Sequence, residues 1–212
     1  MNGTGSRGMG LRFLLQMALA ITPFAPHNAS AYDQATAAPL NSQLPGGHAG
    51  LSYSIPDITL ADQDGKRVSL SDQLYTDRPV ILNFVFTTCT TVCPISTAIF
   101  SKLQAKLSSQ GAKFRLISIS IDPEHDKPAN LKKYAQEFGA GADWRFLSGD
   151  TAGILAVQKA FNAYRGSKTN HAVLTFIRSP QDGRWIRFEG LVSADALVHH
   201  TLSVTSERLV AK

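Results

Sequence analysis

Cysteine is nearly absent from this 212-residue chain, which has two, Cys89 and Cys93. A fold stapled by disulfides would carry several well-spread pairs, so that class is excluded. Long apolar runs are missing as well: beyond the first thirty residues no stretch reaches the roughly 18 apolar positions a membrane-crossing helix needs. Acidic residues are lacking from the first 31 positions, which hold Arg7 and Arg12 and so account for two of the five net positive charges. What excess remains is small and scattered, which argues against a nucleic-acid partner. Glycine (16) and proline (10) are unremarkable and follow no period, excluding collagen, coiled coil and solenoid. What is there, 43% hydrophobic and 17% charged residues, suits one globular domain.

The organisation reads in three parts. Arg7 and Arg12, an apolar run from Phe13 to Ile21 and the small residues Ala29-Ser30-Ala31 have the layout of an export signal, or of an uncleaved membrane anchor, over residues 1–31. Residues 32–55, with Pro39, Pro45, Gly46, Gly47 and Gly50, read as a flexible tether. The folded domain is expected over 56–212. That address implies a compartment outside the reducing cytosol, the periplasm, with the chain either free or tethered to the inner membrane.

Within the domain, Ile58–Leu60 and Val68–Leu70 read as short strands around the turn Asp62-Gln63-Asp64-Gly65. Pro79–Phe86 is a near-continuous apolar, β-branched run, the mark of a strand covered on both faces. Ile95, Ile99, Leu103 and Leu107 then recur every four residues, predicting a helix with that apolar face. Phe114–Ile121 alternates as the next strand, so the three form a right-handed βαβ unit. A helix over Pro128–Phe138, a strand over Trp144–Leu147 and a helix over Thr151–Phe161 capped by Asp150 follow. Antiparallel strands Ala172–Ile177 and Trp185–Phe188 and a closing helix Ala194–Leu209 complete an α/β sandwich around a central mixed sheet flanked by helices.

Both thiols lie where the buried strand hands over to a helix, in Phe86-Thr87-Thr88-Cys89-Thr90-Thr91-Val92-Cys93-Pro94. Proline disfavours helical backbone before it and suits the first helical turn, so Cys93 is expected near the helix N-cap. Free backbone amides and the helix dipole there stabilise a thiolate, the nucleophilic and metal-binding form. Two thiolates suit Cu(I), and an added imidazole extends the site to Cu(II). Two cysteines and six histidines cannot supply the cysteine-rich set of structural zinc.

His171, at the start of the strand after Asn170, is the first candidate for that imidazole, and His125 in Asp122-Pro123-Glu124-His125-Asp126 is the reserve. His199 and His200 on the last helix, His27 and His48 read as solvated polar residues. Asp122 and Asp126 read either as loop and cap acids or as carboxylates orienting a ligand or docking a partner.

The run Cys89-Thr90-Thr91-Val92-Cys93-Pro94, then Ser120-Ile121-Asp122-Pro123-Glu124-His125-Asp126-Lys127-Pro128, then Trp144-Arg145-Phe146-Leu147-Ser148-Gly149 and His171 before a strand, together resemble the Sco/SenC family of copper-binding proteins. The resemblance spans about 56–209 and implies a thioredoxin-like fold. It implies copper bound by Cys89, Cys93 and His171 and delivered to the copper A centre of cytochrome c oxidase. Partners would be oxidase subunit II or its assembly factors, and thiol-disulfide exchange partners of a redox-active cysteine pair. Two positions depart from the family's habit: Asn170 stands where aspartate often precedes the histidine, and Lys127 where threonine is common. The same cysteines would equally serve a thiol-disulfide oxidoreductase, with Cys89 attacking. A peroxiredoxin-like peroxidase fits less well, because Phe86 stands where that family's nucleophile motif has proline.

Overall fold

Among residues 46–206, which the computed structural model describes, the chain forms eight strands and five α-helices. The expected export signal, the first part of the tether and the end of the last helix lie outside those residues. In chain order the elements are β1 (His48–Leu51), β2 (Thr59–Asp62), β3 (Arg67–Ser69), α1 (Leu70–Leu74), β4 (Val80–Val85) and α2 (Val92–Ser109). There follow β5 (Arg115–Ser120), α3 (Pro128–Glu137), β6 (Trp144–Ser148), α4 (Thr151–Ala160), β7 (Leu174–Arg178), β8 (Trp185–Glu189) and α5 (Ala194–Ser206).

All strands join one sheet in the order β1-β8-β7-β4-β5-β6-β2-β3. The β4–β5 and β5–β6 ladders are parallel and the rest antiparallel, so the mixed sheet expected from the alternation of elements is what forms. Every residue of β4 is buried, because side chains alternate across a strand covered on both faces. Val80, Leu82 and Phe84 point into a core with Leu70, Leu74, Ile154, Val157 and Phe161 from α1, α4 and the residue after it. Ile81 points the other way, toward Phe100, Leu103, Leu131 and Leu197 of α2, α3 and α5. The β2–β3 hairpin turns at Gly65, whose φ of +78° is left-handed backbone that glycine adopts without penalty.

Three expectations are corrected. The tether read over 32–55 ends earlier, because His48–Leu51 pairs antiparallel with β8 and Tyr53 stacks 4.9 Å from Phe161. Its glycines misled: Gly47 is where backbone passes close over β8, and a Cβ there would sit 2.4 Å from the Ile186 side chain. Second, Leu70 leaves the hairpin to begin α1, because the Ser69 hydroxyl caps that helix by accepting from the Asp72 N–H at 3.3 Å.

Third, the buried face of α2 is Cys93, Ser96, Thr97, Phe100, Leu103 and Leu107, whereas Ile95 is 51% exposed. Strict four-residue spacing drifts by about 40° per step on a helix of 3.6 residues per turn, so three steps back from Leu107 carry Ile95 off the core face. That rotation is what turns Cys93 inward.

Candidate functional site

The cysteine loop leaves the carboxyl end of β4, the edge of a parallel sheet where ligands collect. Thr91 is the N-cap of α2 and offers no side-chain cap, which leaves the amides of the first turn without their usual partners. Cys89 takes that role instead: its Sγ accepts from the Cys93 N–H at 3.4 Å and lies 3.7 Å from the Thr91 hydroxyl. Partial burial would raise the Cys89 thiol, but the hydrogen bonds from the Cys93 and Thr91 amides outweigh it and bring it down to about 7. Cys93 faces the core, 1% exposed, and burial pushes its thiol up to about 12, with the neighbouring Cys89 and Asp126 adding to the rise. Both are free thiols. One helix terminus thus produces two sulfurs of opposite character.

A buried carboxylate braces this loop. Asp126, with no exposed surface, accepts from the Thr87 N–H at 3.1 Å, the Thr87 hydroxyl at 2.5 Å and the Ser120 hydroxyl at 2.5 Å. Ser120 in turn accepts from the Asp122 N–H at 3.0 Å, so the loops after β4 and β5 are fastened together. Behind Cys93, its carbonyl accepts from the Thr97 hydroxyl at 2.8 Å, and that hydroxyl lies 3.0 Å from the phenol of Tyr134 on α3. Burial pushes that phenol up to about 12, so it remains a neutral hydrogen-bonding group.

His171 follows a 3₁₀ turn at Lys168–Asn170 and lies beside the same strand end. Its Nε2 is 3.0 Å from the Phe84 carbonyl and its ring meets Phe86 edge-on at 6.3 Å. Burial lowers its pKa, against the opposing pull of the Phe84 carbonyl, so the ring is neutral near pH 7 and has the protonation state a ligand requires. The structure therefore brings Cys89 and Cys93 together and sets His171 at the mouth of their loop, engaged with the backbone. Among the described residues no three histidine, cysteine or acidic side chains converge closely enough to hold a metal ion without rearrangement.

The other candidates separate. His125 lines a polar cleft with Thr87, Asn130, Lys133, Tyr134 and Glu137. His48 lies on edge strand β1, and His199 and His200 pack edge-on against each other on α5 at 5.4 Å. His27 lies outside the described residues. Asp126 is the loop brace, and Asp122 pairs with Lys168 at 2.5 Å. Sequence reasoning passed over Thr87, Ser120 and Lys168. Serine at alternate positions of a strand, Ser118 and Ser120, was the available signal for Ser120; Lys168 had none, because its partner lies 46 positions away.

A mixed sheet with a dithiol at the strand-to-helix junction defines a thioredoxin-like thiol protein. A family model described as SCO1/SenC matches residues 50–201, and the chain belongs to that family. It is 42% identical over 100 residues to the SCO1 protein homolog of Bacillus subtilis (strain 168), covering 47% of this chain and 51% of that protein. It spans about half the length of the curated relatives it matches. Among solved structures it is similar to BsSco, a member of the Sco family of cytochrome c oxidase assembly proteins with an identified disulfide switch (31% identity, TM-score 0.63, 74% of this chain and 95% of that one). It is also similar to Bradyrhizobium japonicum ScoI with copper bound (27% identity, TM-score 0.56, 75% of this chain and 99% of that one). Among the described residues no helix is long and apolar enough to cross a membrane.

Proposed function

We propose that this protein is a copper metallochaperone: Cys89 and Cys93 capture copper, His171 completes the coordination, and the ion passes to the copper A centre of cytochrome c oxidase by stepwise ligand exchange. The observation that carries the reading is the paired thiols at an open strand end, one of them thiolate near pH 7. Soft sulfur pairs suit Cu(I), and the neutral imidazole at the loop mouth extends the set to Cu(II). Cys89 is the first ligand, since its thiol, at about 7, loses its proton far more readily than Cys93; Cys93 gives up its proton as it ligates, so capture releases acid. His171 joins only by leaving the Phe84 carbonyl. Oxidase subunit II or its assembly factors are the partners in this reading, and residues 1–31 export the chain to the periplasm or anchor it to the inner membrane.

Titrating the reduced protein with copper tests the proposal. One equivalent should bind with a sulfur-to-copper absorption that disappears in Cys89→Ser, and His171→Ala should weaken Cu(II) binding. Absence of that band in the reduced wild type would remove the chaperone reading, and undiminished Cu(II) binding by His171→Ala would remove the histidine from the site.

The contrast between the two thiols also supports a second reading, a thiol-disulfide oxidoreductase acting on target cysteines. The Cys89 thiolate attacks a target disulfide, forming a mixed disulfide and expelling the target's other sulfur as thiolate. Cys93, losing its proton, then attacks the Cys89 sulfur, closing the Cys89–Cys93 disulfide and releasing the reduced target. Trapping of a mixed disulfide by Cys93→Ser checks it; no trapped species with normal copper transfer would leave the chaperone reading alone.

A further inference from the structure

His171 is carried by a strap, residues 165–172, that leaves α4 and crosses to β7. Where the strap departs, Gly166 has a φ of +80°, left-handed backbone that glycine adopts without penalty, and no atom lies within 4 Å of where a Cβ would stand. Under the strap lies a cavity of about 220 Å³, walled by Ile121, Pro123, Ile154, Tyr164, Lys168 and His171. Such a segment would have several positions of similar energy unless something fixed one.

Lys168 ties the strap to the loop after β5. The Lys168 ammonium donates to Asp122 at 2.5 Å, and the Asp122 side chain is 9% exposed, anchored on the loop that Asp126 and Ser120 brace. The same ammonium lies 5.9 Å from the centre of the Phe86 ring, the ring whose edge meets His171. Lys168 also accepts the His171 N–H at its own carbonyl, at 3.2 Å, so the histidine backbone moves with the lysine. With this ion pair made, the His171 ring is on the Phe84 carbonyl at 3.0 Å.

We propose that Lys168 is a positioning residue: its ion pair with Asp122 latches the strap so that the His171 ring rests on the Phe84 carbonyl, and the latch sets how often that ring is free to meet Cys89 and Cys93. The proposal rests on the reading of His171 as a copper ligand. A ligand whose competent position is only fractionally occupied binds in proportion to that fraction, so opening the latch tightens Cu(II) binding. An ion pair with one partner half exposed is worth little more than a surface pair, which corresponds to a change of roughly fivefold.

The test has a metal-free arm and a copper arm on the full chain. In the reduced, metal-free protein, Lys168→Met and Asp122→Asn should each accelerate amide exchange at His171 by roughly fivefold, while Lys168→Arg restores the wild-type rate. With copper(II) added, the apparent affinity for Cu(II) should rise by the same factor in Lys168→Met, and not when His171→Ala is also present. Unchanged exchange in both variants overturns the latch. Faster exchange with unchanged Cu(II) affinity overturns the positioning role. A wild-type protein with no sulfur-to-copper band overturns the copper reading instead, and the exchange arm alone then decides the latch.

Discussion

At the scale of single residues, the two cysteines differ by environment and not by type. Cys89 receives the amides of a helix end and Cys93 receives the core. Alkylation should register this: the iodoacetamide rate at Cys89 is expected to rise to a half-maximum near pH 7 and to fall about tenfold per unit below it, as thiolate is lost to protonation. Cys93, held near 12, should stay unmodified at pH 8, and mass spectrometry of the peptides reports both. Equal labelling of the two would contradict the arrangement. The sequence pointed to an acidic thiol at this junction by placing Cys93 near the helix N-cap with non-helical backbone before Pro94. The helix begins at Val92, so Cys93 lies within its first turn and its N–H serves the Cys89 sulfur instead. Which sulfur would be acidic was not legible. It depends on the rotation of α2 about its axis, and four-residue spacing places that rotation wrongly.

At the scale of elements, α2 shows how far a periodic pattern reaches. Ile95, Ile99, Leu103 and Leu107 mark a helix correctly, yet its core face runs through Cys93, Thr97 and Phe100. Ile95→Ser should therefore leave the urea unfolding free energy within about 0.5 kcal/mol of wild type. Phe100→Ala is expected to lower it by about 3–5 kcal/mol through the cavity left between α2 and the sheet. Reversed magnitudes would place the apolar stripe where spacing alone put it. β4 was legible as a near-continuous apolar run, the mark of a strand covered on both faces, and β5 by its alternation. The strap before β7 was not: its position comes from one lysine and one aspartate far apart in the chain.

At the scale of the whole molecule, the sheet begins earlier than its composition suggests. Glycine and proline in residues 45–50 have the look of a linker, but β1 covers the edge of β8 and Tyr53 closes over Phe161, Phe176 and Trp185. A chain starting at Pro56 should melt several degrees below one starting at Gly46 and should self-associate through the uncovered β8 edge, as light scattering would show. Equal melting and no association would return those residues to the tether. The overall α/β plan and the family were both visible in the sequence. The brace at Asp126 and the seat of His171 were not, because both depend on which loops the folded sheet sets side by side.

Phe84 joins the scales. Its ring stands edge-on to Phe161 and Phe176, while its carbonyl holds the histidine. A residue so shared makes the hydrophobic interior a tuning peg for the donor ring above it. Repacking the aromatics beneath would shift the resting place of the imidazole, so the seat of that ring is written partly into oily residues that never touch it.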